Sequence, residues 1–284
     1  MSATNSPVFL ITGCSSGFGR ELTIAALNKG FRVIATARRV ETLDSLEKLG
    51  AKVLTLDVTS SDAELTAFAA KSIAIYGQVD YLVNNAGFVQ AGAVEEVSVA
   101  ETVREFNTNF FGLVTTTNAF LPYFRERKAG TIVNISSISS SLGTPGAGIY
   151  AASKAAVDAV SDTWAHELVE YNIRSIAVQP GNFRTEVLKS ANVRRAEKFI
   201  EGYQMVHGFI DFMSKAAGME AGDPVKGAQN IIAFVSDPER KQLPLRLALG
   251  EDAFAGLTAF HTQQLADLEA AKSWSTDTNF PAET

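Results

Sequence analysis

The stretch Val8-Phe9-Leu10-Ile11-Thr12-Gly13-Cys14-Ser15-Ser16-Gly17-Phe18-Gly19 decides the fold. A short apolar run of strand character ends at Thr12, glycines follow at 13, 17 and 19, and a helical period begins near Phe18. Glycine tolerates positive φ and close approach to the main chain. A helix N-terminus offers free N–H donors and the positive end of a dipole. Strand, glycine turn and helix in this order point to a bound dinucleotide, with Gly13, Ser15, Ser16, Gly17, Phe18 and Gly19 cradling its pyrophosphate. The spacing is G-x-x-x-G-x-G. It is not the G-x-G-x-x-G fingerprint, and no Gly-Lys-Ser/Thr follows to make a P-loop. The same glycines also fit a plain tight turn between strand and helix.

Outward from this turn, β-rich runs at 8–12, 32–37, 52–56, 81–84, 131–136, 175–179 and 245–249 alternate with helical periods at 18–29, 41–48, 62–76, 98–126, 149–171 and 223–235. Such alternation predicts an α/β chain with a parallel sheet covered by helices on both faces. Ser61 with Glu64 and Ser98 with Glu101 have capping-box spacing, and Asp223-Pro224 offers an N-cap followed by proline in the first turn. Residues 186–222 break the rhythm: they carry no predicted strand and mix Phe199, Tyr203, Met205, Phe209, Phe212 and Met213 with charges. They read as a helical lid beside a pocket, or equally as helices with their aromatics in the core. An amphipathic stretch at 251–272 is placed to close the same pocket, and the last residues are expected to fray. No linker interrupts the chain, so residues 1–284 read as one domain, with its core at about 7–250 and a C-terminal helix and tail at 251–284.

Composition narrows the function. With 284 residues, 46% of them hydrophobic, the chain can bury a large core, which excludes disorder as its main state. Its 25 Lys+Arg stand against 31 Asp+Glu, a net charge of −6 spread along the sequence, so nucleic acid is not an expected partner. No apolar run approaches the roughly 18–20 residues of a membrane span. The single Cys14 cannot form an internal disulfide, and no cationic segment precedes residues 8–11; a reducing, cytoplasmic compartment is expected. Cys14 sits either where a helix N-terminus would lower its thiol pKa or simply as a small residue tolerated in the turn. His166, His207 and His261 are scattered, so no metal site is expected. The Asn134-Ile135-Ser136 sequon falls in a predicted strand and is discounted.

The second strand ends Thr36-Ala37-Arg38-Arg39. A carboxylate here would accept hydrogen bonds from the adenosine ribose diol and repel a 2′-phosphate. Two guanidinium groups stand there instead, which favours NADP(H), with Arg38 the better placed. A solvated helix entry fits them too. Further on, Tyr150 and Lys154 lie four apart in a run of small residues, on one helix face. A nearby ammonium favours a phenolate, so the phenol can give a proton to a developing alkoxide or take one from an alcohol. Ser137 follows the 131–136 strand at the carboxyl edge of the sheet, where ligands bind, and can hydrogen-bond the substrate oxygen.

Together Thr12 to Gly19, Asn84-Asn85-Ala86-Gly87, Asn109 in Asn109-Phe110-Phe111-Gly112, Ser137, Tyr150 with Lys154, and Pro180-Gly181 resemble the short-chain dehydrogenase/reductase family in its short, single-domain form. The resemblance runs from about residue 7 to 235. It implies a Rossmann fold, doubly wound, with seven parallel strands in the order 3-2-1-4-5-6-7. Tyr150 would be the general acid/base, Lys154 would lower its pKa and hold the nicotinamide ribose, and Ser137 would polarise the carbonyl. Asn109 would hold a relay water linking Lys154 to solvent; its plainer reading is a helix-kink asparagine bonded to backbone. Asp57-Val58 resemble the pair beside the adenine, Asn84, Ala86 and Gly87 the floor below the adenosine ribose, and Pro180, Gly181, Phe183 and Thr185 the segment holding the carboxamide. The plainer readings are a turn cap for Asp57 and, for Asn84-Asn85, a buried amide bonding the sheet. The tail 245–253 is similar to a hydroxysteroid- and retinol-dehydrogenase-like branch.

The expected activity is that of an NADP(H)-dependent carbonyl reductase or alcohol dehydrogenase acting on an apolar small-molecule ketone, aldehyde or secondary alcohol. A cyclase or isomerase using the bound dinucleotide as scaffold and a non-catalytic NADP(H) sensor are the alternatives. The resemblance also implies a homodimer or homotetramer built on the helices near 105–126 and 149–171.

Overall fold

The computed structural model describes residues 6–186, 193–276 and 278–280. Seven strands form one sheet: β1 (Val8–Ile11), β2 (Arg32–Ala37), β3 (Lys52–Thr55), β4 (Tyr81–Asn84), β6 (Gly130–Ile135), β7 (Ile173–Pro180) and β9 (Arg246–Leu249). Two three-residue strands, β5 (Val89–Ala91) and β8 (Val193–Arg195), pair separately. The helices are α1 (Gly17–Asn28), α2 (Asp44–Lys48), α3 (Asp62–Tyr76), α4 (Val99–Phe106), α5 (Gly112–Arg127), α6 (Ser139–Leu142), α7 (Gly148–Glu167), α8 (Gln204–Ala216), α9 (Pro224–Val235), α10 (Glu251–Ala270) and α11 (Lys272–Ser275).

The large sheet runs β3-β2-β1-β4-β6-β7-β9, all parallel, which is the expected order 3-2-1-4-5-6-7 of the Rossmann fold. Successive strand side chains point to opposite faces, and the apolar runs feed two cores at once. Phe9, Ile11, Val33 and Val83 pack with Leu22 of α1 and Ile231 of α9. Val8, Leu10, Ile34 and Leu82 pack on the other face with Phe120 and Phe124 of α5 and Val157 and Trp164 of α7. The chain leaves β1 toward β2 on one side and reaches β4 on the other, so a crevice opens at the carboxyl ends of these strands.

Two expectations need correction. The predicted helix over 98–126 is broken by a wider π turn at Asn107–Phe111, between α4 and α5. The Asn109 side chain causes a local engagement there: its Nδ2 donates to the Phe88 carbonyl at 3.0 Å and its Oδ1 accepts from the Phe88 N–H at 3.1 Å. Nor is 186–222 free of strand, because β8 pairs with β5 in the register Val89↔Val193, Gln90↔Arg194 and Ala91↔Arg195. Three residues are too short to show an alternation in the sequence. Residues 187–192 of the expected lid, and part of the expected C-terminal tail, lie outside the described residues. No helix among the described residues is long and apolar enough to cross a membrane.

Candidate active site

The turn after β1 is built to receive an anionic group. Gly13 and Gly17 have φ of +71° and +56°, and a Cβ on Gly13 would lie 2.8 Å from the Cα of Ala86. Gly19 faces away from the crevice; a Cβ there would strike the Gly13 carbonyl, so this glycine lets α1 pack against its own loop. Asn85 braces the turn, with Nδ2 donating to the carbonyls of Thr12 at 2.9 Å and Gly13 at 3.1 Å. Side-chain caps close α3 at Ser61, α4 at Ser98 and α9 at Asp223, but the N-cap Ser16 of α1 makes no side-chain cap bond. The first-turn N–H groups of α1 thus stay available at the wall of the crevice.

A cleft of about 600 Å³ occupies the crevice, a size suited to a large ligand. The residues Gly13, Ser15, Ser16, Gly17, Phe18, Arg38, Asp57, Val58, Ala86, Gly87, Ser137, Tyr150, Lys154, Pro180, Gly181, Phe183 and Thr185 all line it. The glycine cradle and the open helix end fit a dinucleotide, and Arg38 lines the same cleft. Asp57 also accepts from the N–H of Thr59 at 2.9 Å, so it caps a turn while it lines the cleft. Phe18 meets Phe183 edge-on at 5.0 Å and joins the two loops of the cleft wall.

At the other end, Tyr150 and Lys154 project from one face of α7. The Ser137 hydroxyl, which accepts from the Ser139 N–H at 3.1 Å, lies beside the Tyr150 phenol; burial pushes that phenol up to about 12, with Ser137 opposing the rise and the Glu105 charge adding to it. Lys154 Nζ donates to the Ile135 carbonyl at 2.7 Å and stands 5.8 Å from the Tyr150 ring centre. Burial pulls the ammonium down to about 8, against the opposing charges of Glu105 and Asp158. At neutral pH the set is therefore a protonated phenol beside a hydroxyl, with a still mostly charged ammonium over its ring.

Several expected site residues sit elsewhere. Asn84 does not line the cleft; its Nδ2 donates to Thr117 Oγ1 at 2.9 Å and Asn134 Oδ1 at 2.8 Å, so it ties β4 to β6 and α5. Asn109 is fully buried behind Gly87, where a Cβ would meet both its Oδ1 and Lys154 Nζ, and it is bonded to the Phe88 backbone and to Glu105 and Ser153. Cys14 is buried, donates to the Ile11 carbonyl at 3.1 Å and has its thiol pushed up to about 11 by burial, the direction opposite to activation by the helix end. Of the residues singled out in the lid, Phe199, Met205 and Phe212 are exposed while Tyr203, Phe209 and Met213 are half-buried, and Arg194 is the residue from 193–222 that reaches the cleft. No residue of α10 lines it either. Asp252 in its first turn instead fixes the loop after β7, accepting from the Asn182 N–H at 2.7 Å.

Sequence reading passed over two buried carboxyls. Glu105 accepts from Asn109 Nδ2 and the Gln90 N–H, both at 3.2 Å, and its Oε2 is buried without a hydrogen-bond partner among the described residues. Asp158 accepts from Gln179 Nε2 at 2.8 Å and lies 3.5 Å from Arg246. In the sequence Glu105 stands one helical turn before Asn109 and Asp158 one turn after Lys154, a spacing that ordinary solvated helix faces share.

A doubly wound sheet whose crevice gathers a phenol, an ammonium and a hydroxyl at its carboxyl edge is the framework of an α/β oxidoreductase. The family model described as short chain dehydrogenase matches residues 7–196, and the chain belongs to that family. It is 38% identical to a short-chain dehydrogenase structure from Streptomyces avermitilis, with a TM-score of 0.86, covering 97% of this chain and 99% of that one. Human retinol dehydrogenase 8 is 34% identical over 252 residues, 84% of this chain and 81% of its own. The structure of an actinorhodin polyketide ketoreductase with NADPH is 29% identical, with a TM-score of 0.73, covering 87% of this chain and 96% of that one.

Proposed function

We propose that this oxidoreductase is an NADP(H)-dependent carbonyl reductase or alcohol dehydrogenase acting on an apolar ketone, aldehyde or secondary alcohol. The observation that carries this reading is the Tyr150 phenol, gathered with Ser137 and Lys154 in the lining of one cleft, the ammonium 5.8 Å from its ring centre. Arg38 in place of an acid after β2 supports the phosphorylated cofactor, as does the NADPH-bound ketoreductase relative. Ser15, Ser16 and Gly17 would hold its pyrophosphate, Arg38 its 2′-phosphate, and Gly181, Phe183 and Thr185 its nicotinamide end. When bound, the nicotinamide supplies or accepts the hydride.

The chain's own residues handle the oxygen and its proton. Ser137 donates to the carbonyl oxygen and so concentrates negative charge on it. Tyr150, protonated at neutral pH, gives its proton to that oxygen as charge develops. The Lys154 ammonium then offsets the charge left on the phenolate. The resting site is thus charged for reduction, and oxidation of an alcohol runs through the same groups in reverse at higher pH. Human retinol dehydrogenase 8 among the relatives favours an apolar alcohol or aldehyde. One catalytic domain spanning residues 1–284, a cytoplasmic setting and a homo-oligomer belong to the same reading.

The test follows NADPH oxidation across a panel of ketones and aldehydes. Turnover is expected with at least one apolar carbonyl, and Tyr150→Phe is expected to lower it by about 10²- to 10⁴-fold, the usual worth of a positioned acid. Unchanged turnover in that variant overturns the mechanism. Product formed without NADPH consumption points instead to isomerase or cyclase chemistry.

A further inference from the structure

Three arginines from separate parts of the chain face one cleft: Arg38 after β2, Arg104 in the last turn of α4, and Arg194 in β8. Among the described residues none of the three takes part in an ion pair. Arg104 feels the charge of Glu101, but that carboxylate is already engaged by Ser98 and the Glu197 N–H. The neighbouring Arg195 differs, because its guanidinium is paired with Asp211 at 2.7 Å. Arg194 instead lies over the Phe88 ring at 4.4 Å, on the wall that continues from Gly87. After burial, the charges of Arg104 and Arg38 hold its pKa below the ordinary arginine value, which marks the three as mutual neighbours.

Arg194 is not carried there by a loose loop. Its strand pairs with β5, the Glu197 N–H donates to Glu101 Oε1 at 3.1 Å, and the Ile200 N–H donates to Glu96 Oε1 at 2.8 Å. Both carboxylates are buried, so the lid base is fixed to α4 and the turn before it. The three guanidinium groups are exposed to the water of the cleft, and beyond the Glu101 charge felt by Arg104 no carboxylate among the described residues pairs with them. A phosphate suits them, since it carries up to two negative charges and accepts several N–H donors at once.

We propose that Arg194 is the lid-borne arm of an arginine clamp which, with Arg38 and Arg104, grips the phosphate on the adenosine ribose of NADP(H). The inference rests on the NADP(H) reading above and deepens it: cofactor choice is made by the lid as well as by the loop after β2.

The test titrates the full-length wild type, Arg194→Met and Arg195→Met with NADPH and, separately, NADH, following cofactor fluorescence. Methionine keeps the length and the stacking on Phe88 but removes the charge. Arg194→Met is expected to weaken NADPH binding by about tenfold or more while changing NADH binding by less than about twofold, and Arg195→Met to alter neither by more than about twofold. Thermal melts without cofactor check that each variant folds. Unchanged NADPH affinity in Arg194→Met overturns the clamp. Equal weakening of both cofactors also overturns it, because the arginine would then serve the shared diphosphate. A wild type that binds NADH as tightly as NADPH brings down the NADP(H) reading itself, whatever the variants do.

Discussion

Glu105 is costly to bury. Desolvation raises its carboxyl from the usual 4.5 to about 7, so between those values the native chain holds a proton that the unfolded chain has released. Stability rises with pH only where the unfolded state binds more protons; here the native state binds more. The contribution of Glu105 is therefore fully present below about pH 4.5 and lost as pH rises to about 7. Lys154, held at about 8 instead of 10.5, acts in a separate alkaline window and with the opposite slope. Glu105→Gln keeps an acceptor for the Gln90 N–H and for Asn109 but cannot ionise. Relative to wild type it is expected to gain stability between about pH 5 and about pH 8, by an amount of the order of 1 to 3 kcal/mol. Melting curves at both pH values check this, and a constant difference between the two proteins would contradict it. The tyrosine and lysine of the site were legible because their helical spacing is itself the chemistry. Glu105 was not, since a glutamate in a helical run looks like solvated surface until the fold buries it.

Helix ends give a second contrast. Ser61 and Glu64 form a reciprocal capping box, with the Ser61 N–H donating to Glu64 Oε2 at 2.9 Å. Ser16, at the head of α1, makes no such bond. Ser61→Ala is expected to lower the unfolding free energy by about 1 kcal/mol in urea titrations without cofactor, whereas Ser16→Ala costs less than about 0.5 kcal/mol and instead weakens dinucleotide binding. A loss at Ser16 as large as that at Ser61 would mean that the head of α1 is closed. All seven large-sheet strands were legible as apolar runs between turns, and their ends agree within about two residues. The capping boxes were legible for the same reason: both depend on contacts between residues near in sequence. The π turn and the β5–β8 pairing were not. The first depends on Asn109 reaching Phe88, and the second joins strands of three residues about a hundred positions apart.

At the scale of the whole molecule, α5 and α7 cover the same face of the sheet, and their outer sides lie together on its surface. On α7 that outer side presents Ala152, Ala155, Ala159 and Thr163, all exposed, and on α5 it presents Asn118 and Pro122, with Phe111 exposed at the end of the π turn just before α5. Small side chains let helices from two copies approach to the short end of the 8–10 Å range, and Phe111, 51% exposed, gives such a contact an apolar anchor. Self-association through this face would also support the back of the helix that carries Tyr150 and Lys154, linking assembly to the site. Exposed Leu265, Leu268 and Trp274 on α10 and α11 form a rival apolar surface. The two are separable by substitution. Light scattering is expected to give the wild type a mass of two or four times 30.4 kDa, and Ala155→Glu, which places charges opposite one another across the α7 pairing, is expected to bring it down to single chains. An assembly that survives Ala155→Glu but dissociates with Leu268→Glu would transfer the interface to the C-terminal helix, and a wild type of single-chain mass would remove both.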